Sequence, residues 1–389
     1  MRLLSIEPTP SPHTMKLNVD ETLPAGVRHT YTPDRKDAAP PLIRRILAIP
    51  GVKAVFRTAD FLAVDRVPSG DWEEILTHIR DIFGATDVAA PDAAHGDDTA
   101  ENFGEVQVFV QVFRGIPIQV RARIGDREAR AGLPERFAAA VDRATRASPT
   151  LLKERRLEPW GVRYGDPEAI AREVAEEIDA AYDDDRLAEL VERAARHTPE
   201  EAVRDEGSEL FAPPRASAED VEQAFKSADW KTRYAALLRW KPTPERFDLL
   251  ERAIRDEHTS VRRLAAVYLS ELRTPEAMRL LFEALKDPSA AVRRTVGDAL
   301  SDWGDPAATG PMAEALRDPN KLVRWRAARF MYEVGDDSAL EALRAAEAVE
   351  PEFEVRLQMR MAIERIERGE EASGTVWQQM TRQRKGDRS

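Results

Sequence analysis

The sequence contains no cysteine among its 389 residues. This absence excludes disulfides, thiolate zinc sites, a cysteine nucleophile and an iron–sulfur cluster ligated by the chain itself. Aromatic residues make up only 7% of the chain, and no apolar run approaches the roughly 18 to 20 residues that cross a bilayer. Residues 1–7 lack the apolar core of a secretory signal, so the sequence predicts a cytoplasmic protein.

Acidic and basic residues are unevenly spread along the chain. The formal net charge is −12, and residues 166–209 alone hold 16 acidic and 5 basic residues. Residues 221–369 are nearly balanced, with 26 acidic and 25 basic residues. This part of the chain therefore has no general field for binding a polyanion.

Two segments rich in Pro, Ala and acidic residues divide the chain, because such segments have few large apolar side chains to bury. They are residues 85–102 and 198–220. The predicted organisation begins with an α+β domain at 1–84, a linker at 85–102 and a second α+β domain at 103–197. A second linker at 198–220, a helical domain at 221–369 and a flexible tail at 370–389 follow.

The first domain mixes strand and helix patterns. Residues 15–19 alternate at period two, and Asp71 is placed to cap a helix with apolar residues at helical spacing. Residues 7–16, 51–56, 60–64 and 71–72 resemble, in order, the N-terminal domain of Nfu/NifU-type iron–sulfur scaffold proteins. In that family a CxxC motif of a separate domain ligates the cluster. The resemblance thus implies the fold and a partner surface, without the cluster chemistry.

The middle domain opens with a hairpin pattern, in which valines at 106, 108, 110 and 112 alternate with other residues before Gly115. Residues 133–147, 151–160 and 168–196 have helical spacing. We therefore expect a second small α+β unit.

The last half of the sequence repeats itself. Its alignment brings five arginines, 29, 31, 31 and 32 residues apart, to one position, and three turn aspartates lie 31 residues apart. The arginines are Arg233, Arg262, Arg293, Arg324 and Arg356, and the aspartates are Asp256, Asp287 and Asp318. The units resemble HEAT repeats of the short bacterial type. A two-helix unit of this length buries its apolar face only by stacking on neighbours, so the pattern predicts an all-α solenoid.

The recurring residues predict a ladder in which each arginine binds a neighbouring turn aspartate. The residues that do not recur predict a partner-binding surface on the second helices, since Trp, Tyr and Arg dominate interface energetics. That surface consists of Trp325, Arg329, Tyr332, Arg263, Arg294 and Asp298. The alternative is that Trp325 packs across a junction between repeats.

The sequence lacks the common motifs of metal-binding, nucleotide-binding and catalytic sites. The six histidines are dispersed, and no dinucleotide, P-loop or serine-nucleophile motif occurs. We therefore expect no catalytic residue, no metal site and no cofactor.

The succession of the Nfu-like domain, residues 104–117, 132–137 and 161–166, and the HEAT half resembles the conserved virulence factor C family of Firmicutes. The resemblance implies an association with virulence but no reaction. Together the observations favour a non-enzymatic adaptor or scaffold with protein partners, among them iron–sulfur assembly components or clients. The alternative is a HEAT-like nucleic-acid-binding protein, in which Arg263, Arg294, Arg326 and Arg329 would contact phosphates and Trp325 would stack on a base.

Overall fold

The computed structural model describes residues 1–9, 13–24, 27–67, 70–84, 105–125, 127–145, 155–196 and 215–370. The predicted linker at 85–102, most of the linker at 198–220 and nearly all of the predicted tail lie outside these residues. The chain forms two compact units, one from Met1–Phe103 and Leu316–Ser373 and the other centred on Gly104–Ala315. The predicted fold class is confirmed: two small α+β arrangements precede an all-helical half.

The first domain is a five-stranded antiparallel sheet in the order β1-β2-β5-β4-β3, backed by two helices. In β2 and β5 every second side chain is buried, and Leu17 pairs with Leu62 at the centre of the core. Asp71 accepts a hydrogen bond from the Glu73 amide at 2.7 Å, so it caps the second helix as predicted. The elements are β1 Leu3–Pro8, β2 Thr14–Val19, β3 Arg28–Tyr31, α1 Pro41–Leu47, β4 Val52–Thr58, β5 Phe61–Arg66 and α2 Trp72–Phe83.

The middle domain is a four-stranded antiparallel sheet in the order β8-β7-β6-β9, with helices on one face. The predicted alternation of valines is confirmed, since the valines of the first strand are 0–4% exposed and face the helices. The elements are β6 Glu105–Phe113, β7 Ile116–Ile124, β8 Arg127–Gly132, α3 Glu135–Thr145, β9 Arg155–Tyr164, α4 Pro167–Ala181 and α5 Asp184–Arg196.

The helix predicted at 151–160 is wrong for the residues that the structure describes. Residues 155–164 form β9, which pairs with β6 along its whole length. The segment contains Pro159 and Gly161, two poor helix formers, and pairing with a neighbouring strand outweighs local apolar spacing.

Helix pairs follow the middle domain in the unit centred on Gly104–Ala315, and each pair packs against its neighbour. Their bounds are α6 Ala218–Ala224, α7 Trp230–Arg239, α8 Phe247–Ala253, α9 Thr259–Leu272, α10 Pro275–Ala284, α11 Ala290–Trp303 and α12 Thr309–Ala315. The remaining helices belong to the unit of the first domain: α13 Lys321–Val334, α14 Leu340–Glu347 and α15 Phe353–Glu367. Phe353 and Leu357 of α15 pack against the core of the first domain. In the described residues no helix is both long and apolar enough to span a bilayer.

The arginine ladder predicted from the repeat is present in the helices of both compact units. Arg233 donates to both carboxylate oxygens of Asp256 at 2.7 and 2.9 Å, and Arg262 does the same to Asp287 at 2.7 and 3.0 Å. Arg324 binds Glu350 in the same way, at 2.6 and 2.8 Å, so this arginine pairs with a glutamate and not with an aspartate.

Each ladder arginine also binds its own turn, which the sequence pattern did not predict. Arg262 Nη1 donates to the carbonyls of Asp256 and Glu257, six and five residues earlier, and Arg324 repeats this with its own turn. The Asp287 carboxylate in turn accepts from the Ser289 amide, just before α11 begins. One side chain therefore joins two successive turns, which explains why the arginine recurs in every unit.

Candidate functional site

Two residues of the predicted partner-binding surface, Trp325 and Arg329, are buried. Trp325 is 5% exposed and Arg329 6% exposed, so the prediction that they lie on an open side of α13 is wrong. Arg329 Nε donates to Glu333 Oε1 at 2.7 Å, and its guanidinium lies 5.4 Å from the centre of the half-buried Tyr332 ring. The cause is that α13 is buried on most of its sides. Its buried residues also include Val323, Ala327, Phe330 and Met331. This burial favours the alternative, in which Trp325 is a packing residue.

The other three residues of the predicted surface lie in the second unit, where Arg294 contacts the middle domain. Arg294 binds Asp298 at 2.9 Å, and its guanidinium stands 3.3 Å from the centre of the Tyr164 ring at the end of β9. Their assignment to an external partner stays a prediction.

Arg263 contributes to a buried ion cluster with the middle domain. Its Nη2 donates to Glu177 Oε1 at 2.6 Å, and Arg163 Nη2 donates to the other oxygen, Oε2, at 3.3 Å. The Glu177 side chain is only 3% exposed, and Glu173 lies 3.9 Å from Arg263 Nε. Helix α4 of the middle domain is thereby attached to α9 of the repeats.

Local sequence explains how α4 presents Glu177. Asp166 accepts from the Ala169 amide at 2.9 Å and Pro167 occupies the first turn, so the helix starts there. Counting from this start, Glu177 falls on the buried stripe with Val174 and Ile178. An acidic residue inside an apolar stripe was the sequence signal for this contact, because such a residue needs a buried cation.

The charges of the cluster stabilise one another. Burial by itself raises the pKa of a carboxyl, but the guanidinium groups of Arg263 and Arg163 outweigh it and lower the pKa of Glu177. The pKa of Glu173 is raised by burial and by the nearby Glu177 charge. Both oxygens of Glu177 bind guanidinium groups, so this carboxylate serves as a docking contact between α4 and the repeats.

Histidines give no sign of a metal site in the described residues. There, no group of three or more His, Asp or Glu side chains is close enough to hold a metal ion. His258 stacks on Trp230, with ring centres 3.6 Å apart and planes inclined by 4°. Burial, with the charges of Arg66 and Lys53, lowers the pKa of His13 to about 4.

Three family descriptions match consecutive parts of the chain. The scaffold protein Nfu/NifU N-terminal domain matches residues 4–87, the virulence factor domain matches residues 111–191, and HEAT repeats match residues 218–295 and 278–364. The class of protein is therefore a fusion of an Nfu-type domain, a virulence factor domain and HEAT repeats.

Relatives share the whole arrangement. The chain is 50% identical to the uncharacterized protein YpgR of Bacillus subtilis strain 168 over 99% of both chains. It is 41% identical to conserved virulence factor C of Staphylococcus aureus strain MRSA252, over 98% of this chain and 99% of that one. The crystal structure of protein SAV1430 from S. aureus is 35% identical over 21% of this chain and 99% of its own, with a TM-score of 0.20. The chain belongs to the conserved virulence factor C family.

Proposed function

We propose that the protein is a non-enzymatic adaptor whose repeat helices bind protein surfaces. The observation that carries the proposal is the 2.6 Å contact between Arg263 and Glu177, in which a second helix of the repeats binds a helix of another domain through a buried charge pair. Stacked helical repeats offer extended surfaces for such contacts.

Two exposed apolar residues support a further protein contact on the same helices. Leu238 and Val267 are each 37% exposed and lie 29 residues apart, the spacing of Arg233 and Arg262. They therefore occupy equivalent positions in successive units. Exposed apolar side chains at one recurring position are the contact that a protein partner can bury.

The nature of one partner is proposed from the first domain. Because this domain is of the Nfu/NifU type, we propose that an iron–sulfur assembly component or client is among the partners. The chain has no cysteine, so in this proposal it positions proteins and does not ligate the cluster.

The experiment compares affinity capture from the native host with three forms of the full chain: wild type, Leu238→Asp/Val267→Asp, and the control Val349→Asp. Val349 is 79% exposed on another part of the chain. A partner that the double variant loses at least tenfold, and that purified wild type binds directly, supports the adaptor. Equal capture by all three forms would sink the proposal for this surface.

Nucleic-acid binding by other arginines of the repeat helices is the weaker candidate function. The proposed contacts were Arg263, Arg294, Arg326 and Arg329, with Trp325 stacking on a base. In the structure Arg263 and Arg329 are ion-paired, and Trp325 is too buried to offer its ring.

A further inference from the structure

The sheet of the middle domain has a second face, opposite the helices, with a distinct set of side chains. In an antiparallel sheet, residues paired across strands point to the same face. One such row runs through Glu128, Arg123, Gln107 and Val162, one residue from each strand. The neighbouring row runs through Arg130, Arg121, Phe109 and Pro159. We call these two rows, with the adjacent Gln119, Gln111 and Leu157, the open face.

Side chains of the open face are accessible. The exposed fraction is 57% for the Arg130 side chain and 42% for the Arg123 side chain. Val162 and Leu157 on β9 are 40% and 37% exposed. Accessible apolar residues beside accessible cations are typical of a binding surface.

The open face carries an excess of positive charge. Its three guanidinium groups converge on one carboxylate: Arg123 and Arg130 donate to Glu128, the latter at 2.6 Å, and Arg121 lies 3.8 Å away. Hydrogen bonds from Arg123 and Arg130 lower the pKa of Glu128. Among the open-face side chains that the structure describes, one carboxylate faces three arginines, whereas the whole chain has a net charge of −12. Such a local excess attracts an anion.

Planar groups of the open face point to the class of anion. The Arg123 guanidinium lies 5.4 Å from the centre of the half-buried Phe109 ring, and Gln107, Gln111 and Gln119 add amide donors and acceptors. Rings and guanidinium planes stack on unpaired bases, amides bind base edges, and arginines bind phosphates. Four strands about 4.8 Å apart make a surface about 14 Å wide. That surface is too wide to enter a duplex major groove of about 12 Å, so a single strand fits better.

We propose that the open face of the middle domain binds single-stranded nucleic acid, with Arg121, Arg123 and Arg130 on phosphates and Phe109 against a base. The charge excess, the planar groups and the width of the sheet carry this proposal together. An acidic protein segment would match the charge but would make no use of the ring. This binding is independent of the adaptor function, which uses Leu238 and Val267.

The test measures fluorescence anisotropy of labelled 12-nucleotide oligo(dT) and oligo(U) with the full chain between 20 and 200 mM salt. Two or three phosphate contacts predict a slope of log affinity against log salt of about −1.4 to −2.1. Arg130→Ala should weaken binding and make the slope shallower by about 0.7. The control is Arg127→Ala, which removes an arginine that is 69% exposed on the same strand but points to the helix side and approaches Glu168 at 3.6 Å. This control should leave both quantities unchanged.

A second variant tests stacking separately from charge. Phe109→Leu keeps apolar volume and should weaken binding by about fivefold or more at constant slope. The proposal is overturned by absence of binding at 20 mM salt, by an equal loss in Arg127→Ala, or by duplex DNA bound as tightly as the single strands. Competition by poly-glutamate with no effect of Phe109→Leu would instead identify an acidic protein segment as the occupant. Unchanged oligonucleotide binding by Leu238→Asp/Val267→Asp separates this result from failure of the adaptor proposal.

Discussion

Arg263 and Glu177 are 86 residues apart in the sequence and form an ion pair of 2.6 Å in which the carboxylate is almost wholly buried. Arg163 binds the second oxygen of the same carboxylate. These paired charges hold α4 on the repeats. A buried charge without its partner would instead strongly destabilise the fold.

Removing one partner of this cluster should therefore cost stability. Arg263→Met keeps much of the side-chain volume but leaves Glu177 with less compensation, and we expect a loss of about 3 kcal/mol in the free energy of unfolding, measured by urea denaturation. The control is Arg279→Met, at an arginine that is 58% exposed and bound to Glu283 at 2.6 Å; it should change stability by under about 1 kcal/mol. Adding Glu177→Gln to Arg263→Met should restore part of the loss. A loss equal to that of the control would show that the pair contributes little.

The ladder arginines should depend on guanidinium geometry. Arg262→Lys retains the charge but cannot donate to both oxygens of Asp287 and to two carbonyls at once. We expect it to lower the free energy of unfolding by about 1 to 2 kcal/mol. Arg255→Lys, at a half-exposed arginine with surface ion pairs, serves as the control and should cost under about 0.5 kcal/mol. Equal losses in both variants would contradict a special role for the ladder.

The first domain should depend on a helix from the end of the chain. Arg66, 4% exposed in its side chain, donates to Glu354 Oε1 at 2.8 Å and to the Gly70 carbonyl at 2.7 Å. Glu354→Gln leaves this buried cation with a neutral partner, so we expect a loss of about 2 to 3 kcal/mol and faster amide exchange in β5. Glu364→Gln on the same helix removes an exposed pair with Arg368 and should change neither measurement. Unchanged exchange in β5 after Glu354→Gln would contradict this dependence.

The buried position of His13 should make the folded protein less stable in mild acid, because the unfolded chain binds a proton there more readily than the folded chain does. Its folded pKa of about 4 lies below its ordinary value of 6.5, so between these pH values the unfolded chain binds a proton that the folded chain does not. The contribution is fully present above pH 6.5 and is lost as the pH falls toward 4. We expect His13→Gln to reduce the difference in unfolding free energy between pH 7 and pH 5 by about 1 kcal/mol, after allowance for partial exposure. An unchanged difference between pH 7 and pH 5 in His13→Gln would refute the prediction.

Local patterns of the sequence determined the fold class and the repeat. Alternating valines predicted the first strand of the middle sheet, and the spacing of Arg233 and Arg262 predicted both the helix pairs and the arginine–aspartate ladder. These features were readable because one period or one spacing specifies each of them. Strand β9 was misread, since its conformation depends on pairing with β6, whose paired residues lie 42 to 59 positions earlier in the chain.

Tertiary structure alone decided which polar residues are accessible. Helical register placed Trp325 and Arg329 on one side of α13 but could not reveal that this side is buried. The same limit hid the docking of Arg263 on Glu177 and the gathering of Arg121, Arg123 and Arg130 on one sheet face. The physical reason is that a sequence fixes the direction of a side chain relative to its own helix or strand. What faces that side chain depends on segments far away in the chain.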